Sequence, residues 1–216
     1  ISFTRGGVYR ITGTLTQGQI YCEVDGNENL VLILDGVSVT NMEDAALYVA
    51  NSGQMLLYLA EGSENILTSG TETEISADAA ADDASGGALT FKDDATIAGS
   101  GTLTVYGYLN NSIHCSNNLY IEDGTINVTA VNTGIKGKDS LTIDGGVINI
   151  LSGGDGLKSN DETGSDFGVV TINAGDITIS SCGDGVQAET LLTVNDGNLT
   201  INTTGEDIVH TEEFGM

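Results

Sequence analysis

Lys92, Lys136, Lys138 and Lys158 are the only lysines in a chain of 216 residues whose formal net charge is -25. Lys136 and Lys158 stand 22 residues apart in the matching segments GIKGKD and GLKSND. Aligned at that spacing, they share a column with His114 and Gln187, and Lys92 and Lys138 share the next column with Ser116, Asn160 and Glu189. Ammonium groups one repeat apart offer donors at a spacing suited to a carboxylate-bearing chain. Lys92, His114, Lys136, Lys138, Lys158 and Gln187 are therefore the candidate residues for binding an acidic polymer. Charge balance against neighbouring carboxylates is the plainer explanation of the same lysines.

Acids stack beside them. Asp93, Asn117, Asp139 and Asp161 follow the lysine positions, and Thr133, Asp155, Asp184 and Glu206 precede the apolar residue that opens each repeat. Carboxylates on adjacent stacked strands would stand ~4.8 Å apart. Such a pair repels by roughly 3–4 kcal/mol at an effective dielectric of ~20. A calcium ion with oxygen ligands at about 2.4 Å spans that gap. The expected cofactor is calcium, held at Asp155, Asp184 and Glu206, with a second site at Asp139, Asn160 and Asp161. Turn aspartates that only satisfy Asx-turns explain the same pattern.

These columns require elements that stack. Ser112–Thr133, Gly134–Asp155, Gly156–Asp184 and Gly185–Glu206 each carry an apolar second position, an L-x-I-like triplet, a Gly-containing turn and an alternating strand. The period is 22 residues, except for one repeat of 29 that carries an insertion of seven near Asp161–Gly168. A fixed period of strand-plus-turn units predicts a solenoid. Three apolar columns follow: Leu89, Ile113, Ile135, Leu157, Val186 and Ile208; then Leu119, Leu141, Val170 and Leu192 with Ile97, Ile121, Ile143, Ile172 and Val194; then Leu103, Ile126, Ile148, Ile177 and Leu199 with Val105, Val128, Ile150, Ile179 and Ile201. Side chains alternate in and out along a strand, so the fold expected is all-β: a single-stranded right-handed parallel β-helix with three sheets. Roughly nine turns at ~4.8 Å each make a rod about 45 Å long. One domain over residues 1–216 is expected. The earlier segments are less regular, with Asp-Gly and Ser-Gly turns between strands, and Thr71–Gly87 reads as a surface loop.

Outward positions of the second and third sheets read Thr96, Tyr120, Thr142, Thr171, Thr193 and Thr104, Asn127, Asn149, Thr178, Thr200. Stacked Thr and Asn favour strands and bond between them. Tyr106, Tyr108 and Tyr120 are the aromatic residues placed to touch a sugar, while the lack of Trp argues against a flat crystalline surface as ligand.

Composition narrows the partners. With 31 acidic and 6 basic side chains, the charge argues against nucleic acid and anionic membranes as partners. No apolar run approaches the ~20 residues of a membrane span. The chain has no Pro, which suits sheet interiors. Cys22, Cys115 and Cys182 match no metal spacing and read as small buried fillers, with one disulfide left open.

The segments GGVYRITGTLTQGQIYCEV, NLVLILDGVSVTN, YLAEGSENIL, LTFKDDATIAGSGTLTV, GIKGKDSLTIDGGVINI and GGDGLKSND resemble, in this order, a bacterial family of cell-surface carbohydrate-binding β-helix domains. The resemblance covers nearly the whole chain, and the GIKGKD and GDGLK segments are its most specific parts. That family is similar in fold to family-nine pectate lyases. The resemblance implies a right-handed parallel β-helix, bound calcium, an extracellular or surface-anchored setting, and binding of acidic plant polysaccharide such as polygalacturonate, with cellulose a further ligand. Further repeats are expected after GEDIVHTEEFGM. The leading expectation is a calcium-dependent, non-catalytic binding module for acidic polysaccharide. The alternatives are a lyase with Lys136 or Lys158 as base, and a structural or adhesive surface protein that calcium rigidifies.

Overall fold

Parallel strands in sheets make up the regular structure of this chain, and among the described residues there is no helix. The computed structural model describes residues 1–73, 75 and 86–204. Three ladders run through it. The first is an eight-stranded sheet of β1 (Ser2–Phe3), β3 (Ile20–Glu23), β5 (Leu47–Asn51), β8 (Gly87–Phe91), β11 (Asn111–Cys115), β14 (Ile135–Gly137), β17 (Leu157–Ser159) and β20 (Val186–Ala188). The second contains β6 (Met55–Leu59), β9 (Ala95–Gly99), β12 (Asn118–Ile121), β15 (Ser140–Ile143), β18 (Val169–Ile172) and β21 (Leu191–Val194). The third contains β7 (Glu64–Ser69), β10 (Thr102–Gly107), β13 (Thr125–Ala130), β16 (Val147–Ser152), β19 (Asp176–Ser181) and β22 (Asn198–Thr203).

One long strand joins the second and third ladders. Strand β4 (Leu30–Asn41) pairs through Leu30–Leu34 with β6 and through Ser38–Asn41 with β7. The Asp35-Gly36 step, which reads in sequence as a turn, is instead a bend inside this one strand. Gly36 takes a φ of 81° there, a conformation that L side chains rarely adopt. Strand β2 (Gly7–Leu15) pairs with β4 from Leu30 to Val39, with a register shift between Ile11 and Gly13.

The predicted register holds wherever it falls on described residues. Leu89, Ile113, Ile135, Leu157 and Val186 pair successively and are buried. The paired columns of the second and third ladders also match. A single buried apolar cluster extends from Ile20 to Val186. A residue slipped by one would turn each column to the opposite face, so burial on one side fixes the pairing. Two members of the apolar columns depart from this. Val194 and Ile201, on the last described strands, are 50% and 44% exposed rather than interior. Ile208 and most of the expected loop at 71–87 lie outside the described residues.

The insertion sits between β17 and β18. The chain leaves the first ladder after Ser159 and enters the second at β18, just after Gly168, whose N–H donates to Asp139 O at 2.7 Å. The three cysteines are free, so no disulfide joins them. Cys22 and Cys115 are buried, and burial pushes both thiols up to about 12. Cys182 is only partly buried, a correction to its reading as a core filler.

Candidate functional site

The outer face of the first ladder gathers the lysines because pairing places them there. The register runs Tyr21, Tyr48, Thr90, His114, Lys136, Lys158, Gln187. Side chains alternate along a short strand, so a column that faces away from the apolar core collects whatever polar residues the repeat carries at that step. Lys92 and Lys138 are exposed one step further along.

Three of these outward residues are nonetheless deeply buried, Thr90 at 1% exposed among them. His114 is 3% exposed and Lys136 is 4% exposed. An open row of ammonium groups is therefore not what the fold presents; the middle of the column lies beneath the surface. Burial first, and then the charges of Lys136, Lys92 and Lys138, pull the His114 pKa down to about 4, so the ring is neutral near pH 7. Ser116 Oγ lies 3.4 Å from its Nε2. Its Nδ1 is buried and has no hydrogen-bond partner among the described residues, and the same holds for Gln187 Oε1. Buried polar atoms are normally satisfied. The two lysines of this column are thus flanked by two side chains with bonding capacity left over.

Two lysines are matched to acids. Lys158 Nζ donates to Asp155 Oδ2 at 2.8 Å, with both side chains mostly shielded, and Lys138 Nζ lies 3.2 Å from Asp161 Oδ2. Charge balance thus accounts for part of the lysine placement. Asp155 Oδ1 also accepts the Asp184 N–H at 2.9 Å. The Asp155 and Asp184 edge is adjacent as expected, but a lysine and a backbone amide already serve its carboxylate, which leaves that edge a poor fit to a cation. Glu206, the third expected ligand there, lies outside the described residues.

Asp139, Asn160 and Asp161 fit a hard cation better. Asp139 and Asp161 are brought into side-chain contact. Burial, followed by the hydrogen bond and charge of Asp161, raises the pKa of Asp139. Asp161 is held near 2, first by the hydroxyl and N–H of Thr163 and then by Lys138. Asn160 N and Asp161 N both donate to Lys138 O, at 3.2 and 3.0 Å, which fixes the backbone of this corner. Abutting carboxylate groups repel, and Lys138 offsets part of that charge here; a shared proton or a cation would offset more. Among the described residues no three His, Cys, Asp or Glu side chains converge on one metal position, so any cation here would also draw on the Asn160 amide or on water.

Tyrosines were underread in the sequence. Tyr21 and Tyr48 extend the lysine column with rings stacked at 5.8 Å and 7°. Tyr21 Oη donates to Glu23 at 3.2 Å. Their repeats are too irregular for a 22-residue alignment, but tyrosine at alternating strand positions was the available signal. Tyr106 and Tyr108 stack on one another at 5.5 Å at the end of β10, in the third ladder. Tyr120 and Tyr58 are exposed on the second ladder.

Comparison with known proteins follows this geometry. A protein described as carbohydrate-binding domain-containing, from Acetivibrio thermocellus, is 35% identical over 130 residues, which is 60% of this chain and 45% of that protein. The aligned stretch thus spans less than half of the relative. A solved structure titled as the polysaccharide lyase-like protein from C. thermocellum, gadolinium derivative, superposes with a TM-score of 0.76 at 33% identity, covering 94% of this chain and 85% of that one. A family model described as carbohydrate-binding domain-containing protein matches residues 1–214, and the chain belongs to that family.

Proposed function

We propose that this chain is a non-catalytic, calcium-dependent module that binds acidic polysaccharide, such as polygalacturonate, along the outer column of the first ladder. In this reading the parallel ladders wind as a right-handed three-sheeted β-helix, as parallel crossovers overwhelmingly do, and the module works outside the cell. The observation that carries the proposal is the row His114, Lys136, Lys158, Gln187. Two lysines lie between two buried polar atoms, His114 Nδ1 and Gln187 Oε1, that lack partners among the described residues. A carboxylate-bearing sugar chain along this face would meet the exposed Lys92 and Lys138 first, with the partly shielded Lys158 in the adjoining column. Calcium at Asp139, Asn160 and Asp161 would offset the repulsion between an anionic chain and a protein of net charge -25. The decisive measurement is calorimetric titration with oligogalacturonate in calcium and in excess chelator, on wild type and on Lys136→Ala/Lys158→Ala. Binding that survives both changes at full strength refutes the reading.

A second reading is a lyase, favoured by the polysaccharide lyase-like title of the similar solved structure. β-Elimination needs a neutral base to take the proton α to the uronate carboxylate while the C4–O bond breaks and a C4–C5 double bond forms. Lys136 or Lys158 would be the base, and Lys158 Nζ donates to Asp155 Oδ2 at 2.8 Å. Release of unsaturated uronate, followed by its ultraviolet absorbance, distinguishes a lyase from a binder.

A further inference from the structure

We propose that the outer face of the second ladder is a separate binding groove for a neutral polysaccharide chain, with Tyr58 and Tyr120 as its two stacking platforms. A groove of about 660 Å³ lies across β6, β9 and β12. Tyr58 and Tyr120 line it and are 40% and 39% exposed, unlike the shielded lysine column. Large aromatic rings left in water on a strand face forgo a burial that they would gain against another surface.

The register spaces them. Tyr58 pairs with Ala98, and Tyr120 pairs with Thr96. The rings are therefore carried on strands two steps apart, about 10 Å across the sheet, and two residues apart along it, about 7 Å. The two offsets combine to about 12 Å, too wide for one pyranose to touch both rings, and suit two sugars of one chain with a third between them. The residues between the platforms, Thr96 and Ala98, are small and leave the floor open.

Charge selects the class of sugar. No lysine or arginine lines the groove, but Asp94 and Glu122 do. Asp94 Oδ1 is held by the Asn118 N–H at 3.1 Å and by the Asn118 amide at 2.9 Å, so its carboxylate is fixed in place. Gln54 and Asn29, bonded to each other at 3.2 Å, give the opposite rim amide groups. Carboxylates accept hydroxyl donors and repel uronates. A neutral pyranose chain, with apolar ring faces for the tyrosines and hydroxyl groups for the carboxylates, is the complementary ligand. This groove rests on membership of a carbohydrate-binding family and not on the lysine-face proposal.

The test is calorimetry with cellohexaose, xylohexaose and mannohexaose. At least one should bind wild type, unaffected by chelator and by Lys136→Ala/Lys158→Ala. Tyr58→Ala and Tyr120→Ala should each weaken it roughly tenfold, the loss of one stacked ring, while Tyr58→Phe and Tyr120→Phe keep binding. Circular dichroism confirms that the variants fold. The proposal is overturned if none of the three probes binds wild type, or if a Tyr58→Ala/Tyr120→Ala double variant binds as tightly as wild type. Loss of oligogalacturonate binding in the lysine variant is a separate outcome, so either proposal can fail alone.

Discussion

The outer column of the first ladder and the outer groove of the second are built on the same repeat, yet they solve opposite electrostatic problems. The first buries basic and titratable groups: His114 and Lys136 are almost wholly shielded, and Lys158 is ion-paired to Asp155. The second exposes aromatic rings beside carboxylates and contains no cation. Neighbouring strands of one chain thus carry a shielded, ion-paired basic column and an open groove that joins aromatic rings to carboxylates. The difference shows that a repeat of paired parallel strands dictates position and not chemistry. Each column is free to carry its own residue types, since outward side chains are not needed for the core.

Acid should separate the two regions most strongly. His114 has a folded pKa near 4, below its ordinary 6.5. Between these values the unfolded chain takes up a proton that the folded chain refuses. Stability therefore falls as pH drops from about 6.5 to about 4, by on the order of 3 kcal/mol. Amide exchange should accelerate around Ile113–Gly137 in this window and much less at Met55–Tyr58. His114→Gln should remove that part of the slope in urea unfolding. An unchanged slope would show that the ring titrates normally.

Backbone crowding gives the next largest effect, confined to the lysine side. Gly137 lies between Lys136 and Lys138, and a Cβ there would collide with Ser140 O and approach Leu119 Cβ at 3.0 Å. Gly137→Ala should cost roughly 1–3 kcal/mol by overpacking. It should also weaken oligogalacturonate binding while leaving any neutral-glycan binding intact. Equal loss at both faces would mean that the ladders do not act independently.

Tyr120→Thr should have the smallest effect on stability. It restores threonine to a column that already holds Thr96, Thr142, Thr171 and Thr193. Urea unfolding should shift by no more than about 0.5 kcal/mol, as for an ordinary surface change, while cellohexaose binding drops. A large stability loss would make Tyr120 a structural residue and blur the contrast. Thiol labelling gives a check on folding: Cys182 should react in the native protein, and Cys22 and Cys115 only on unfolding.

Much of this was legible in residue order. The spacing from Ile113 to Ile135 to Leu157 set the register of the first ladder, because a period of 22 brings equivalent positions of consecutive repeats into adjacent strands. The same spacing aligned Lys136 with Lys158 and bridged the insertion to Gln187. Spacing failed where the repeats lose their length. The strands bearing Tyr21, Tyr48 and Tyr58 are joined by segments of unequal length, so their columns could not be aligned. Nor could the Asp-Gly of β4 be told from a turn, since a glycine with positive φ serves a bend within a strand equally well.

The sequence by itself determined which residues share a column and which columns face the core, because alternation along strands and a fixed period are both properties of a linear order. Only the tertiary structure decided what each outward residue meets. Burial of Lys136, the pairing of Asp155 with Lys158, the contact of Asp139 with Asp161 and the open space between Tyr58 and Tyr120 all depend on distances between side chains of different repeats. Those distances depend on side-chain rotamers and on the connections between strands, which a one-dimensional period does not specify.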